Sequence, residues 1–283
     1  MLLNRLISLN LFIGLCALSL FESNRLIFGL DLKMSASALM VVSSTVAYYS
    51  IHPYSFMLRF KSLKEFTGSW KDAGISGIST TLIILSMLLF VICLFFVSLE
   101  VLLCFFLVFL LSVFYSFPLI KYRGKSITLR EVSVMKLPLL SVSWAIITVI
   151  VPYIESENQV SLLSVIITFF TTAIFVLVLC IPFEIRDMKK DSERGIVNLA
   201  LSLGPERFKT GGLILLAAIV IADLAAFYSD LISFEVFAAL VSSILLTAYV
   251  IKSTPDSPSS FYCRFYSDGM MHVRFLFVTL MIS

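Results

Sequence analysis

Charge is scarce in this chain. Asp, Glu, Lys and Arg make up 14% of its 283 residues, hydrophobic residues 59%, and the mean hydropathy is +1.03. So little polar surface cannot cover a soluble globule of this size, which excludes that class and leaves a polytopic membrane protein. Cys16, Cys93, Cys104, Cys180 and Cys263 show no C-x-x-C spacing, which excludes a zinc ribbon or disulfide frame and leaves small apolar packing residues. Histidine is rarer still, with only His52 and His272. No Walker A loop, dinucleotide-binding glycine fingerprint, G-x-S-x-G elbow or sustained heptad is present. A basic tail is also missing and the formal charge is an ordinary +3, so nucleic acid is not an expected partner. Between Asp31 and Glu65 there is no acidic residue at all.

What is there is a series of apolar runs. Windows of about 17 to 25 residues mark bilayer-crossing helices at 6–21, 35–58, 79–97, 101–117, 137–154, 160–182, 211–228, 234–251 and 269–283. The expectation is an all-α bundle of nine spans in a single domain, 1–283. The first run lacks an A-x-A-like site before the polar stretch at 22–25, so it is read as mature structure and not as a signal peptide. The last is short, and is either tilted or truncated. All but three of the 21 Lys and Arg fall on one side of this layout, the exceptions being Arg25, Lys33 and Arg274. The positive-inside rule therefore places the amino terminus and the loops after the second, fourth, sixth and eighth spans in the cytoplasm. The expected location is a bacterial inner membrane.

The densest charge follows the sixth span, in IPFEIRDMKKDSERGIVNLALSLG (181–204). On a helix, Glu184, Asp187 and Asp191 fall within roughly 60° of arc, close enough to converge on one cation. A hard ion such as Mg²⁺ takes oxygen ligands of this kind and leaves its other positions to water and phosphate. A second reading is open: Lys189, Lys190, Glu193 and Arg194 stand three or four positions from these acids, so the segment also fits a solvated helix held by ion pairs. Arg186, Lys190 and Arg194 form a stripe beside the acids. Electrostatics alone does not choose between metal and internal cations.

The string EIRDMKKDSERG resembles the second acidic motif of the UbiA superfamily of intramembrane prenyltransferases, D-I-R-D-x-x-x-D followed by Gly. Glu184 stands where Asp is usual, Asp187, Asp191 and Gly195 match, and Asn198-Leu199-Ala200 replaces a Thr-Leu-Pro stretch. The resemblance implies a bundle in which Glu184, Asp187 and Asp191 hold Mg²⁺, with Asp187 and Asp191 essential to catalysis, against the diphosphate of a polyprenyl donor. It implies a lipophilic acceptor as the second substrate, within membrane lipid. It also implies that the basic loop before the fifth span reaches the diphosphate, with Tyr115, Lys121, Arg123 and Lys136 in comparable places and Arg186 as a further anion binder.

One family feature is missing. The N-D-x-x-D-x-x-x-D run expected at the end of the second span is replaced by TVAYYSIHPYSFMLRFKSLKEF, with Ser50 and Ile51 at the Asn-Asp position. Three readings follow. The protein holds one Mg²⁺ while His52, Tyr49 and Tyr54 position the substrate; or it binds an isoprenoid without turnover; or the charged motif survives only as a helix cap and topology signal. A small-solute transporter is a further alternative, although no inverted repeat is evident. His52 precedes Pro53 and is expected to mark the break where the second span ends. Asp268, His272 and Arg274 are expected to line the bundle interior, with His272 and Arg274 paired.

Overall fold

A computed structural model describes residues 7, 9–55, 77–116, 120–122, 125–127, 133–157, 159–193 and 198–282. Of the expected site residues, Arg123 lies outside the described residues, and the side chains of His52, Tyr54 and Lys121 lie outside the description although their backbone is in it. Among the described residues the fold is all-α, apart from one short hairpin. The contacts divide the chain into two units, Met1–Leu18 with Met34–Ser98, and Ser19–Lys33 with Leu99–Ser283. Helix α1 (Leu11–Ile27) contributes its first part to one and the remainder to the other.

In the first unit α2 (Ala36–Ser55) packs along α3 (Gly77–Cys93), which a 3-10 turn extends over Leu94–Phe96. Gly14 of α1 lies so close to α2 that a Cβ there would stand 2.6 Å from Val46 Cγ2. Helix α2 does not stop at His52; it runs on through Pro53 to Ser55. Proline has no N–H to return to the carbonyl four residues back. That carbonyl, of Tyr49, accepts instead from Asn10 Nδ2 at 3.2 Å, and Asn10 also reaches Ser50 Oγ at 3.3 Å.

The second unit begins with α4 (Leu99–Ser116) and the antiparallel hairpin β1 (Ile120–Tyr122) and β2 (Lys125–Ile127), registered Ile120 to Ile127 and Tyr122 to Lys125. Next come α5 (Ser133–Ala145), a π-turn at Ile146–Ile150 and α6 (Val151–Glu155), then α7 (Leu162–Leu179), α8 (Ile181–Glu193) and α9 (Leu199–Leu203). The chain ends with α10 (Pro205–Tyr228), α11 (Phe234–Lys252), a π-helical segment at Tyr262–Ser267 and α12 (Met270–Ile282). Helices α7, α10, α11 and α12 pack in sequence, with α5 against α7. Val236, Ala239, Leu240 and Val278 form one core cluster, and Phe28, Val149 and Val165 another.

Among the described residues, four stretches are long and apolar enough to cross a bilayer: Met135–Glu155, Leu162–Leu179, Pro205–Tyr228 and Phe234–Lys252. Shorter apolar helices cover Ala36–Ile51, Thr80–Phe96 and Leu99–Val113. Their outer faces carry exposed Phe95, Phe96, Phe109, Phe170 and Ile221. In water such faces would be liabilities; against acyl chains they are the expected surface.

The first span differs from its sequence reading. Helix α1 extends to Ile27, and Glu22, Ser23, Asn24 and Arg25 lie buried inside it, not in a loop after it. Pairing removes part of the cost, since a buried polar group costs on the order of 2 to 7 kcal/mol while unsatisfied, and among the described residues the Glu22 carboxylate oxygens and Ser23 Oγ make no hydrogen bond. Arg25 forms ion pairs with Glu155 and with Glu22, the latter at 3.4 Å. Asn24 Nδ2 donates to the Thr148 carbonyl at 2.9 Å, which Pro152, four residues on, cannot serve. The expected His272 and Arg274 pair is also replaced. His272 Nδ1 shares a 2.7 Å hydrogen bond with Ser19 Oγ, while Arg274 donates to Asn24 Oδ1 at 3.4 Å and lies 5.3 Å from the Phe175 ring centroid.

Candidate functional site

The charged motif is built where α7 stops. The Leu179 carbonyl, left without an intrahelical partner at the helix end, accepts from Ser267 Oγ at 2.7 Å, so the π-helical segment is tied to the turn that leads into α8. Pro182 sits in the first turn of α8, where a missing N–H is harmless. Ile181 fills the space over Gly212 of α10, where a Cβ would come within 2.2 Å of Ile181 Cδ1. These contacts fix the start of α8 and bury Glu184 to 2% exposure.

Glu184 forms an ion pair with Lys136, which α5 delivers from 48 residues earlier in the chain. Burial pushes the Glu184 carboxyl above the usual carboxylate range; Lys136 pulls it back, and Asp191 and Asp187 push it further up. The three acids therefore share one electrostatic neighbourhood. Asp187 is held by its neighbour Arg186, whose Nε and Nη2 donate to the two carboxylate oxygens at 2.8 and 3.1 Å. The Arg186 guanidinium in turn lies 5.2 Å from the Phe183 ring centroid, a cation–π contact that orients it. Asp191 accepts from Asn198 Nδ2 at 3.0 Å.

Asn198 does three things at once. Its Nδ2 also donates to the Glu184 carbonyl at 3.2 Å, and its Oδ1 caps α9 by accepting from Leu201 N at 2.7 Å. It thus joins the two ends of the acidic helix turn. The sequence shows a signal for the cap, an Asn before an apolar run, but none for the tie to Asp191. Asp268, expected to line the bundle interior with His272 and Arg274, has a position relative to α8 that the sequence did not signal. It follows the π-helical segment that packs against α8, within electrostatic reach of Arg264 and Arg186. Burial raises its carboxyl to about 8 against the pull of those two cations.

The structure thus brings Lys136, Glu184, Arg186, Asp187 and Asp191 together. Tyr115 is buried near the end of α4. Tyr49 belongs to the other unit, edge-on to Tyr48 at 5.6 Å. Among the described residues no three acids, cysteines or histidines converge as a ready-made metal cage. The donor set is nonetheless all oxygen and hard. It fits Mg²⁺ in the way that ion is commonly held, by one or two carboxylates plus water and substrate phosphate. Lys136 and Arg186 place two positive charges against these carboxylates.

A family model, the UbiA prenyltransferase family, matches residues 76–269, more than two thirds of the chain and all of the α8 motif. The chain belongs to the UbiA prenyltransferase family. No curated protein sequence matches it significantly. Among solved structures, this UbiA-family chain is similar to a UbiA homolog from Archaeoglobus fulgidus bound to GPP and Mg²⁺, at 17% identity and a TM-score of 0.64, with 98% of each chain covered. The A. fulgidus homolog bound to DMAPP and Mg²⁺ matches at 16% identity and a TM-score of 0.63, again with 98% of each covered. An apo UbiA homolog from Aeropyrum pernix K1 matches at 13% and 0.57, with 97% of each covered. At these identities the likeness is one of fold. With four helices among the described residues long and apolar enough to cross a bilayer, this UbiA-family chain is an integral membrane protein.

Proposed function

We propose that this chain is a Mg²⁺-dependent intramembrane prenyltransferase that moves a prenyl group from a polyprenyl diphosphate to a lipophilic acceptor. The observation that carries the reading is the pairing of Glu184 with Lys136 and of Asp187 with Arg186 on a helix that also carries Asp191, in a UbiA-family chain. Prenyl transfer breaks the allylic C–O bond, sends the electron pair to the diphosphate, and forms a new bond to the acceptor, which gives up a proton. Glu184, Asp187 and Asp191 would hold the metal, which neutralises the departing diphosphate when bound. Lys136 and Arg186 face the same anion, with Lys121, Arg123 and Tyr115 from the preceding loop; preorganised donors of this kind stabilise charge that develops in the transition state. The apolar walls keep water from the allylic cation. His52, Tyr49 and Tyr54 would take over positioning where the first acidic motif is absent. The cell location in this reading is a bacterial inner membrane, with nine spans in a single functional domain and the motif on the cytoplasmic side.

The test is direct. Protein purified in detergent should bind geranyl diphosphate at least tenfold more tightly with Mg²⁺ than with chelator, and Asp187→Asn should remove that dependence. Metal-independent binding that ignores Asp187 would sink the enzyme reading. It would favour a non-catalytic isoprenoid-binding protein, the reading supported by the acid-free stretch between Asp31 and Glu65.

A further inference from the structure

Each proposed metal ligand is already engaged. Glu184 is paired to Lys136, and Asp187 to Arg186 by a two-point ion pair at 2.8 and 3.1 Å. The two cations therefore occupy, in this state, the charge a divalent ion would bring. For Asp187 to turn toward a metal, the Arg186 guanidinium has to leave it. An arginine half-buried against Phe183 is stabilised by a counter-ion, so a second acid is favoured where the first turns away.

Among the described residues, Asp268 is the acid besides Asp187 that lies within electrostatic reach of Arg186. It stands at the end of the Tyr262–Ser267 segment, which packs on α8 and is fastened by Ser267 Oγ to the Leu179 carbonyl immediately before that helix. Among the described residues its carboxylate makes no hydrogen bond and no ion pair within 4.0 Å, yet it lies within electrostatic reach of Arg186. Segments of π-helix are uncommon and concentrate where a helix has to present a side chain off its regular register. Here the irregular turn ends at Asp268. Arg264 of the same segment is also within electrostatic reach of this carboxylate, so Asp268 lies in the field of two arginines.

We propose that Asp268 is a positioning residue of this site, the second acidic partner of Arg186, taking over its guanidinium when Asp187 binds a divalent cation. The inference rests on the metal-diphosphate reading of α8. In it, Arg186 alternates between Asp187 and Asp268, and Asp268 acts only through Arg186 without touching substrate.

The test measures Mn²⁺ binding by electron paramagnetic resonance, with geranyl diphosphate present, on the full-length protein in detergent. Asp268→Asn should weaken Mn²⁺ binding about tenfold, and Asp268→Glu should recover most of it. In an Arg186→Met background the Asp268→Asn effect should vanish, because no guanidinium remains to be received. A double-mutant cycle isolates that coupling. An equal loss in both backgrounds would overturn the inference, as would an unchanged affinity in Asp268→Asn with wild-type protein binding the ion. Failure of the wild-type protein to bind Mn²⁺ at all would instead overturn the underlying metal reading. Thermal midpoints of the single variants within a few degrees of wild type separate a binding effect from misfolding.

Discussion

At the scale of single residues, the informative acid is Glu184. Its ion pair with Lys136 is nearly enclosed, with 18% and 3% of the two side chains exposed. Removing one partner of such a pair leaves the other uncompensated, at about 3 to 5 kcal/mol. Lys136→Met should therefore lower the melting midpoint at pH 8, and adding Glu184→Gln should restore most of it. The pH dependence has a definite sign. Burial holds the folded Glu184 carboxyl above the usual range, so the unfolded chain ionises first, and stability falls as pH rises from the ordinary carboxylate range through the raised value. The Lys136→Met penalty should accordingly shrink in acid, where Glu184 is protonated, and a penalty independent of pH would contradict the pairing. Metal binding needs the ionised carboxylate and should strengthen over the same rise in pH. The sequence spacing showed that three acids share one face. It could not show that Lys136, 48 residues away, closes on one of them, because that pairing depends on how α5 and α8 meet.

At the scale of elements, two prolines inside helices share one solution. Pro53 and Pro152 each deny the carbonyl four residues back its α-helical donor, and in both cases an asparagine amide from residues 10 to 24 donates to that carbonyl, Asn10 to Tyr49 and Asn24 to Thr148. This is why α2 continues past the break expected at His52, and why the polar stretch at 22–25 belongs inside α1. Asn24→Ala should cost about 1 to 3 kcal/mol, the penalty of an orphaned buried carbonyl, and it also strips Arg274 of its Asn24 Oδ1 acceptor. The loss should be smaller in a Pro152→Ala background, where the backbone N–H returns. Equal losses in the two backgrounds, read as midpoints in chemical denaturation, would remove this explanation. Hydropathy windows see a proline and a polar run and end the helix at each; they carry no term for a distant side chain that repairs the ladder.

At the scale of the whole molecule, the exposed apolar faces and the loop charges make an orientation prediction. In the proposed bacterial inner-membrane topology, with native cysteines replaced, an impermeant thiol reagent added to intact cells should label Glu157→Cys but not Glu193→Cys, since that topology keeps the basic loops inside. The reverse pattern would invert the proposed topology and put the α8 motif outside the cell. Helix positions were largely legible at this scale, because the need to bury backbone polar groups in lipid leaves helices as the only option for apolar runs of this length. The four spanning helices lie close to the runs expected at 137–154, 160–182, 211–228 and 234–251. Their ends moved, with α7 stopping at Leu179 and α10 starting at Pro205, because caps and prolines rather than hydropathy set termini.

The sequence by itself determined the membrane class, the all-α fold and the acidic face of α8, because each follows from composition or from local periodicity along one helix. Only the tertiary structure decided that Lys136 meets Glu184, that Asn198 ties Asp191 to the Glu184 backbone, that Arg25 pairs with Glu155 and Asn24 with the Thr148 carbonyl, and that Asp268 comes within electrostatic reach of Arg186. Those pairings join residues far apart in the chain. Charge and hydrogen-bonding capacity can be read from residue type, but the partner that satisfies them is set by which helices the packing brings within a few ångströms.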